Sequence, residues 1–242
     1  AAVLGGHPSD PLKSDPVHIG PTLSDLQPVT ADEVERLLKS MSGKSSPLDF
    51  IPTSLLKECS DVFSPIIANL ANLSFTQSVF PSRFKTAQIT PLLKKPGLDD
   101  EDPASYRPIS NLNTISKVIE RLFLARILPH VSSSPNFNPV QSAYRKHHST
   151  ETALLKVAND IFSAFDKGRS TILMALDMSA AFDTIDHDVI IDRLRYTFGI
   201  CGPSLDWLAS YLDQRHTFVR WDPVGRKQHH ALSVCHKGRR SD

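Results

Sequence analysis

Thr171-Ile172-Leu173-Met174-Ala175-Leu176-Asp177-Met178-Ser179-Ala180-Ala181-Phe182-Asp183 is the stretch on which the reading of this chain turns. Its first part is a continuous apolar run bounded by Gly168 and Asp177. A run that short, following a helical pattern, predicts a buried strand. Asp177 then sits where the strand leaves an apolar core, and a carboxylate there is costly unless it is paired or coordinates a metal. Mg²⁺ suits such a position, because it takes one or two carboxylates plus substrate phosphates and keeps the rest of its shell as water. On this pattern alone, a turn cap or a lysine partner explains Asp177 as well.

Upstream of the strand, a Ser149/Thr150 cap opens a helix through Leu154, Leu155, Val157, Ala158 and Ile161 to Gly168. Farther back, Thr30-Ala31-Asp32-Glu33 has the form of a capping box, and Val34, Leu37, Leu38 and Met41 follow at helical spacing up to Gly43. Apolar residues between Leu55 and Val79 predict a helical segment with one break, with Pro65 in a first turn. Phe84 to Leu93 predicts an edge strand or extended finger that continues into Lys94-Lys95-Pro96-Gly97. A polar loop, Asp99 to Ser105, precedes Tyr106-Arg107-Pro108-Ile109-Ser110, and a helix from Ile115 closes near Pro129. Downstream, helices are predicted over 187–197 and 204–213 and a strand over His216 to Trp221, with Asp186 as an N-cap. Residues 1–29, with five prolines and three glycines, predict a poorly ordered linker, the fold starting near Thr30. From Asp222 the apolar pattern is lost, which predicts a disordered tail over 222–242.

Composition narrows the classes. Of 242 residues, 40% are hydrophobic and 22% charged, the balance of a globular chain. The apolar stretches fall well short of the roughly 18 residues a membrane helix needs. With 27 basic against 26 acidic residues the net charge is +1, so any nucleic-acid surface has to be a local patch. Cys59, Cys201 and Cys235 are odd in number and widely spaced, which argues against a disulfide framework and for an intracellular compartment, nuclear or cytoplasmic. The chain begins at Ala1 with no basic-then-apolar leader, so a fragment is expected. His229-His230 and Cys235-His236 lack metal-ligand spacing, Asp183, Asp186 and Asp188 lack the Gly and Glu of a calcium loop, and Trp207 and Tyr211 suit a core better than a stacking platform.

Asp177 to His187 resembles the first catalytic motif of non-LTR (LINE-type) retrotransposon reverse transcriptases. Three further blocks resemble that family in the same order: Ile89-Thr90-Pro91-Leu92-Leu93-Lys94-Lys95-Pro96, then Ser105 to Leu112, then Gln141 to Ala153. Four ordered blocks are far more specific than one short motif. The resemblance implies an α+β, helix-rich fold: right-hand polymerase fingers and a partial palm over residues 30–221, with an incomplete antiparallel palm sheet. It implies Asp177 as the catalytic carboxylate, binding Mg²⁺ with the carbonyl of Met178. It also implies Phe182 under the incoming sugar, Arg107 and Lys95 on the triphosphate, and Gln141, Arg145 and Lys146 facing the template. The alternatives for these are a plain core aromatic for Phe182 and solvated surface charges for the basic residues. The implied partners are an RNA template, a DNA primer and deoxynucleoside triphosphates, with no membrane and no disulfide partner.

Departures from the family matter as much. No Asp-Asp pair occurs after Asp177, and the Gln-Gly-Ser motif is missing although Ser210 to Val219 resembles the stretch before it. Cys235-His236-Lys237-Gly238-Arg239 can be encoded as TGT CAC AAG GGT CGG, whose frame from the third base reads Ser-Gln-Gly-Ser. A frameshift near residues 222–234 is therefore expected in the encoding DNA. A two-metal site lacking its later aspartates cannot be completed, so the chain alone is expected to be inactive. Apolar helix faces and strand edges are expected to stay uncovered, which lowers solubility. The alternative function is a non-enzymatic remnant that binds nucleic acid or a partner.

Overall fold

The computed structural model describes residues 18–177, 185–220 and 231–235. Helix α1 (Ala31–Ser40) starts at Thr30, whose hydroxyl accepts from the Glu33 amide at 3.2 Å. Only that half of the predicted capping box is used. The Glu33 carboxylate turns instead to Arg126, which holds it through both guanidinium Nη atoms at 2.9 and 3.0 Å. Val34 and Leu38 are fully buried on the inner face of α1.

Two helices, α2 (Thr53–Glu58) and α3 (Ser60–Thr76), meet at a break on Cys59. Because α3 starts at Ser60, Pro65 falls in its second turn rather than the first as expected. The amide it lacks would have bonded the carbonyl of Asp61, an exposed first-turn residue whose carbonyl can bond water instead. Helix α4 (Thr114–Ser133) likewise runs through Pro129 for another turn instead of closing there. Tertiary and local bonds hold that turn: His130 Nε2 donates to the Phe198 carbonyl at 2.6 Å and Ser132 Oγ to the Pro129 carbonyl at 3.2 Å.

Strands β1 (Thr86–Leu93), β2 (Tyr106–Asn111), β3 (His216–Arg220) and β4 (Ala231–Cys235) form one sheet in the order β2-β1-β3-β4. It is mixed, not antiparallel throughout: β1 and β3 run parallel, while β1–β2 and β3–β4 are antiparallel. The predicted edge strand β1 is interior over Thr86–Ile89, where β3 flanks it, and becomes an edge beyond Ile89. Pro91 lies on that free half, opposite Pro108. Opposed prolines fit a non-hydrogen-bonded pair, where the missing N–H groups would point away from the partner strand. Residues 231–235, expected in a disordered tail, pair with β3 as β4 because Ala231-Leu232-Ser233-Val234-Cys235 is a short apolar run beside an open strand edge.

The described part of the expected linker is bound to the fold. Leu23 exchanges backbone bonds with Gly199 and Cys201, Ser24 accepts two bonds from Ser204, and Asn72 clamps both backbone groups of Val29. Val29 is 5% exposed, so the fold begins before Thr30. Gly199 is required where this segment crosses: its φ is +68°, and a Cβ would lie 2.3 Å from the His18 ring.

The core gathers α1, α3, α4 and α7 (Gly202–Leu212) around Trp207, which stacks on Phe123 at 4.0 Å between ring centroids and takes Phe75 and Phe80 edge-on. Trp207 Nε1 donates to Ser74 Oγ at 2.8 Å, and Tyr211 packs parallel to it at the rim. Both aromatics thus serve the core, as expected. Burial pushes the Tyr211 phenol up to about 12, with Glu120 adding to the rise and Arg215 opposing it. The neutral phenol is therefore the form the fold favours. Its contribution to stability is complete below pH 10 and is lost as pH rises through about 12. Comparing the unfolding free energy of wild type and Tyr211→Phe across that window should show the wild type losing the difference. Parallel curves would contradict the assignment.

Helix α5 (Thr150–Asp166) opens on the full capping box of Ser149 and Thr152, and α6 (His187–Tyr196) on the predicted Asp186 cap. No residue of α5 is buried: Leu155 is 70% and Phe165 76% exposed. This is the uncovered apolar helix face anticipated above. No helix among the described residues is long and apolar enough to cross a membrane.

Candidate functional site

Beyond Leu93 the chain turns at the tip of the β1–β2 hairpin, and most of the local polar groups build the turn itself. Lys94 donates its amide to the Ser105 carbonyl at 2.9 Å and its ammonium to the Ala104 carbonyl at 2.8 Å. Asp102 caps the short turn through the Ala104 amide, and the Tyr106 hydroxyl reaches the Asp100 carbonyl. Lys95 and Arg107 are exposed at this tip, Arg107 opposite Leu92, and neither side chain has a hydrogen bond or ion pair among the described residues. The hairpin thus brings to one end two cations that the sequence separates by a twelve-residue step, with Asp99, Asp100, Glu101 and Asp102 in the same turn. Those carboxylates lower the local potential, so an anion would be held by direct contact with Lys95 and Arg107 rather than by a broad field.

A second basic cluster lies in the loop between α4 and α5. Arg145 is half-buried: its Nη1 donates to the Pro139 carbonyl at 2.8 Å and the Gln141 carbonyl at 3.5 Å, and its guanidinium lies 5.4 Å from the Phe137 ring centroid. Gln141 spends its amide on the Ala143 carbonyl at 3.3 Å. Lys146, His147 and His148 are exposed. Tyr144 and His147 adopt φ of +58° and +62°, a left-handed conformation that costs a non-glycine residue about 1–2 kcal/mol. Tyr144 is 87% exposed.

The predicted buried strand over 171–176 is not formed. Residues 171–177 have no regular secondary structure, and Ile172 is 91% and Leu176 86% exposed. An apolar run is buried as a strand only where neighbouring strands satisfy its backbone, and the four-stranded sheet does not include it. Asp177 is therefore an exposed carboxylate, not one at the mouth of a core. Met178, Phe182 and Asp183 lie outside the described residues. Among the described residues no three His, Cys, Asp or Glu side chains gather to hold a metal ion. Asp177 alone does not make a Mg²⁺ site, since such a site needs further oxygen ligands around the ion.

Some residues that position these loops carry no periodic sequence signal. Asp49 accepts from the Thr114 amide at 2.6 Å, the Thr114 hydroxyl at 2.7 Å and the Ser46 amide at 2.6 Å. It thereby ties the loop before α2 to the junction of β2 and α4. Lys85 is buried at the root of β1, where desolvation lowers its pKa, Asp213 opposes that shift and Arg215 adds to it. The only local hint of Asp49 is the turn composition of Ser45-Ser46-Pro47-Leu48-Asp49.

Residues 93–237 match the family described as Reverse transcriptase (RNA-dependent DNA polymerase), well over half of the chain. The chain belongs to that family. It is 31% identical over 196 residues, 81% of its length, to the probable RNA-directed DNA polymerase from transposon BS of Drosophila melanogaster, covering 21% of that protein. It is 28% identical over 216 residues to the probable RNA-directed DNA polymerase from transposon X-element of the same organism, covering 89% of this chain and 23% of that one. The Pol polyprotein from type-1 retrotransposable element R2 of Popillia japonica is 22% identical over 81% of this chain and 26% of its own length. These relatives identify the reverse transcriptase as the type found in non-LTR retrotransposons, and the chain spans about a fifth to a quarter of their length. The family match also takes in residues 222–237, so the lost apolar pattern from Asp222 marks no boundary of the family-like sequence.

Proposed function

We propose that this chain is the fingers and first palm portion of a right-hand RNA-directed DNA polymerase. In the whole enzyme the 3′-hydroxyl of a DNA primer attacks a deoxynucleoside triphosphate on an RNA template, forming a phosphodiester and releasing pyrophosphate. The observation that carries this reading is the family match over residues 93–237, which includes Lys95 and Arg107 at one hairpin tip. In the proposal these two grip the triphosphate, Arg107 as a bidentate fork and Lys95 as a point charge. Gln141, Arg145 and Lys146 belong to the template side, and Phe182 lies under the sugar. Asp177 and the carbonyl of Met178 are the proposed ligands of Mg²⁺, which in such enzymes stabilises charge on the transferring phosphate. One carboxylate does not complete a two-ion site, so the chain alone does not turn over.

Primer extension on an RNA template tests this. Wild type and Asp177→Ala should both give no product above background, and Asp177→Ala should shift stability by less than about 0.5 kcal/mol because the side chain is exposed. A product made by wild type and abolished by Asp177→Ala would overturn the inactivity. RNA affinity measured against salt bears on the template side. A linear fall of log affinity with log salt is expected from phosphate contacts, and no binding at any salt would remove them from the proposal.

A further inference from the structure

The loop between α4 and α5 contains an aromatic that the reading above does not use. Tyr144 is 87% exposed, on a loop that spends backbone strain at two positions, Tyr144 and His147. Strain of that kind persists only where neighbouring bonds over-determine the conformation. Here the neighbour is Arg145, whose guanidinium is held by the Pro139 and Gln141 carbonyls and the Phe137 ring, while the Arg145 carbonyl accepts from the His148 amide at 3.2 Å to close the following turn. Arg145 thus has a donor committed inside the loop, and the Tyr144 ring faces solvent together with the side chains of Lys146, His147 and His148, the last with Nδ1 on the Lys146 carbonyl. A rigidly mounted aromatic beside exposed cations is the arrangement that binds unpaired nucleic acid, the ring taking a base face and the cations taking phosphates.

We propose that Tyr144 is a stacking platform for an unpaired base of single-stranded RNA, and that Arg145 is a positioning residue that holds it there. The inference rests on the template-side reading of this loop and adds a residue and a contact type to it.

The experiment uses the full chain and a single-stranded RNA carrying 2-aminopurine, whose fluorescence is quenched by stacking, with the same sequence as DNA in a parallel arm. Tyr144→Phe should keep affinity and quenching. Tyr144→Ala and Tyr144→Asn should each lose affinity by about ten-fold or more and lose the quenching, with the salt slope unchanged. Asn tolerates the left-handed conformation, so agreement between these two variants assigns the loss to the ring and not to the backbone. Arg145→Ala should also reduce quenching without changing the salt slope, whereas Lys146→Ala should flatten that slope by about 0.7. Equal loss on RNA and DNA fits stacking on a base face. If wild type binds RNA and Tyr144→Ala binds equally well with quenching intact, the stacking role is overturned while the template-side reading stands. If wild type binds neither probe at any salt, both fail together.

Discussion

Replacing Trp207 with alanine is expected to cost the fold about 3–5 kcal/mol, the range for removing a buried tryptophan and leaving a cavity. Trp207 is 1% exposed and is the ring against which Phe75, Phe80, Phe123 and Tyr211 all pack. No smaller side chain on α7 can reach those four rings together. A loss of that size is a large part of the roughly 5–15 kcal/mol that stabilises a typical domain, so urea unfolding should show either a much lower midpoint or no folded baseline. Trp207→Phe provides the control. It keeps a ring in the stack but leaves a smaller cavity and loses the bond to Ser74, whose hydroxyl still donates to the Val79 carbonyl, so a loss of about 1–3 kcal/mol, below that of Trp207→Ala, is expected. If Trp207→Ala unfolds like the wild type, the aromatic cluster is not the centre of the core.

Arg126→Ala is the second change with a large expected effect. Its side chain is 9% exposed, and besides the two bonds to Glu33 it donates to the carbonyls of Gln27, Pro28 and Leu122. Removing it leaves a partly buried carboxylate and carbonyls without their donor, a loss of about 3 kcal/mol. Glu33 is 30% exposed and can recruit water, which keeps the figure below that of a fully buried pair. The effect should also be local. Arg126 joins α4 to the segment before α1, so hydrogen exchange over residues 18–29 should quicken more than exchange in α3. Unchanged protection there would mean that Asn72 and the bonds to Gly199, Cys201 and Ser204 hold the segment by themselves.

These two sites separate what stabilises the described fold from what it leaves uncovered. The helices around Trp207 bury their apolar faces, whereas α5 and residues 172–176 expose theirs, with Leu154 at 63% and Met174 at 76%. The described core is therefore closed around Trp207, while α5 and the segment leading to Asp177 leave their apolar side chains exposed.

By itself the sequence determined the features that depend on near neighbours. The caps at Thr30, Ser149 and Asp186, the helical periodicity of α1 and α4–α7, the extended run from Phe84 to Leu93 and the four ordered blocks that mark the family are all local, because capping bonds and amphipathic spacing are settled within a turn or two. Tertiary structure decided the rest. Whether Thr171 to Leu176 becomes a strand depends on a neighbouring backbone to pair with, and no spacing within the run encodes that partner. Residues 18–29 look like a linker in composition, yet they are fixed by Asn72, Arg126 and Ser204, which lie far along the chain. Pro65 and Pro129 are expected at helix ends and lie inside helices, Pro65 where water can bond the carbonyl of exposed Asp61 and Pro129 where His130 bonds Phe198 from far along the chain. Arg145 was legible as a cation, but its use inside the loop, and the exposure this gives Tyr144, follow from carbonyls and a ring that only the folded loop brings within reach.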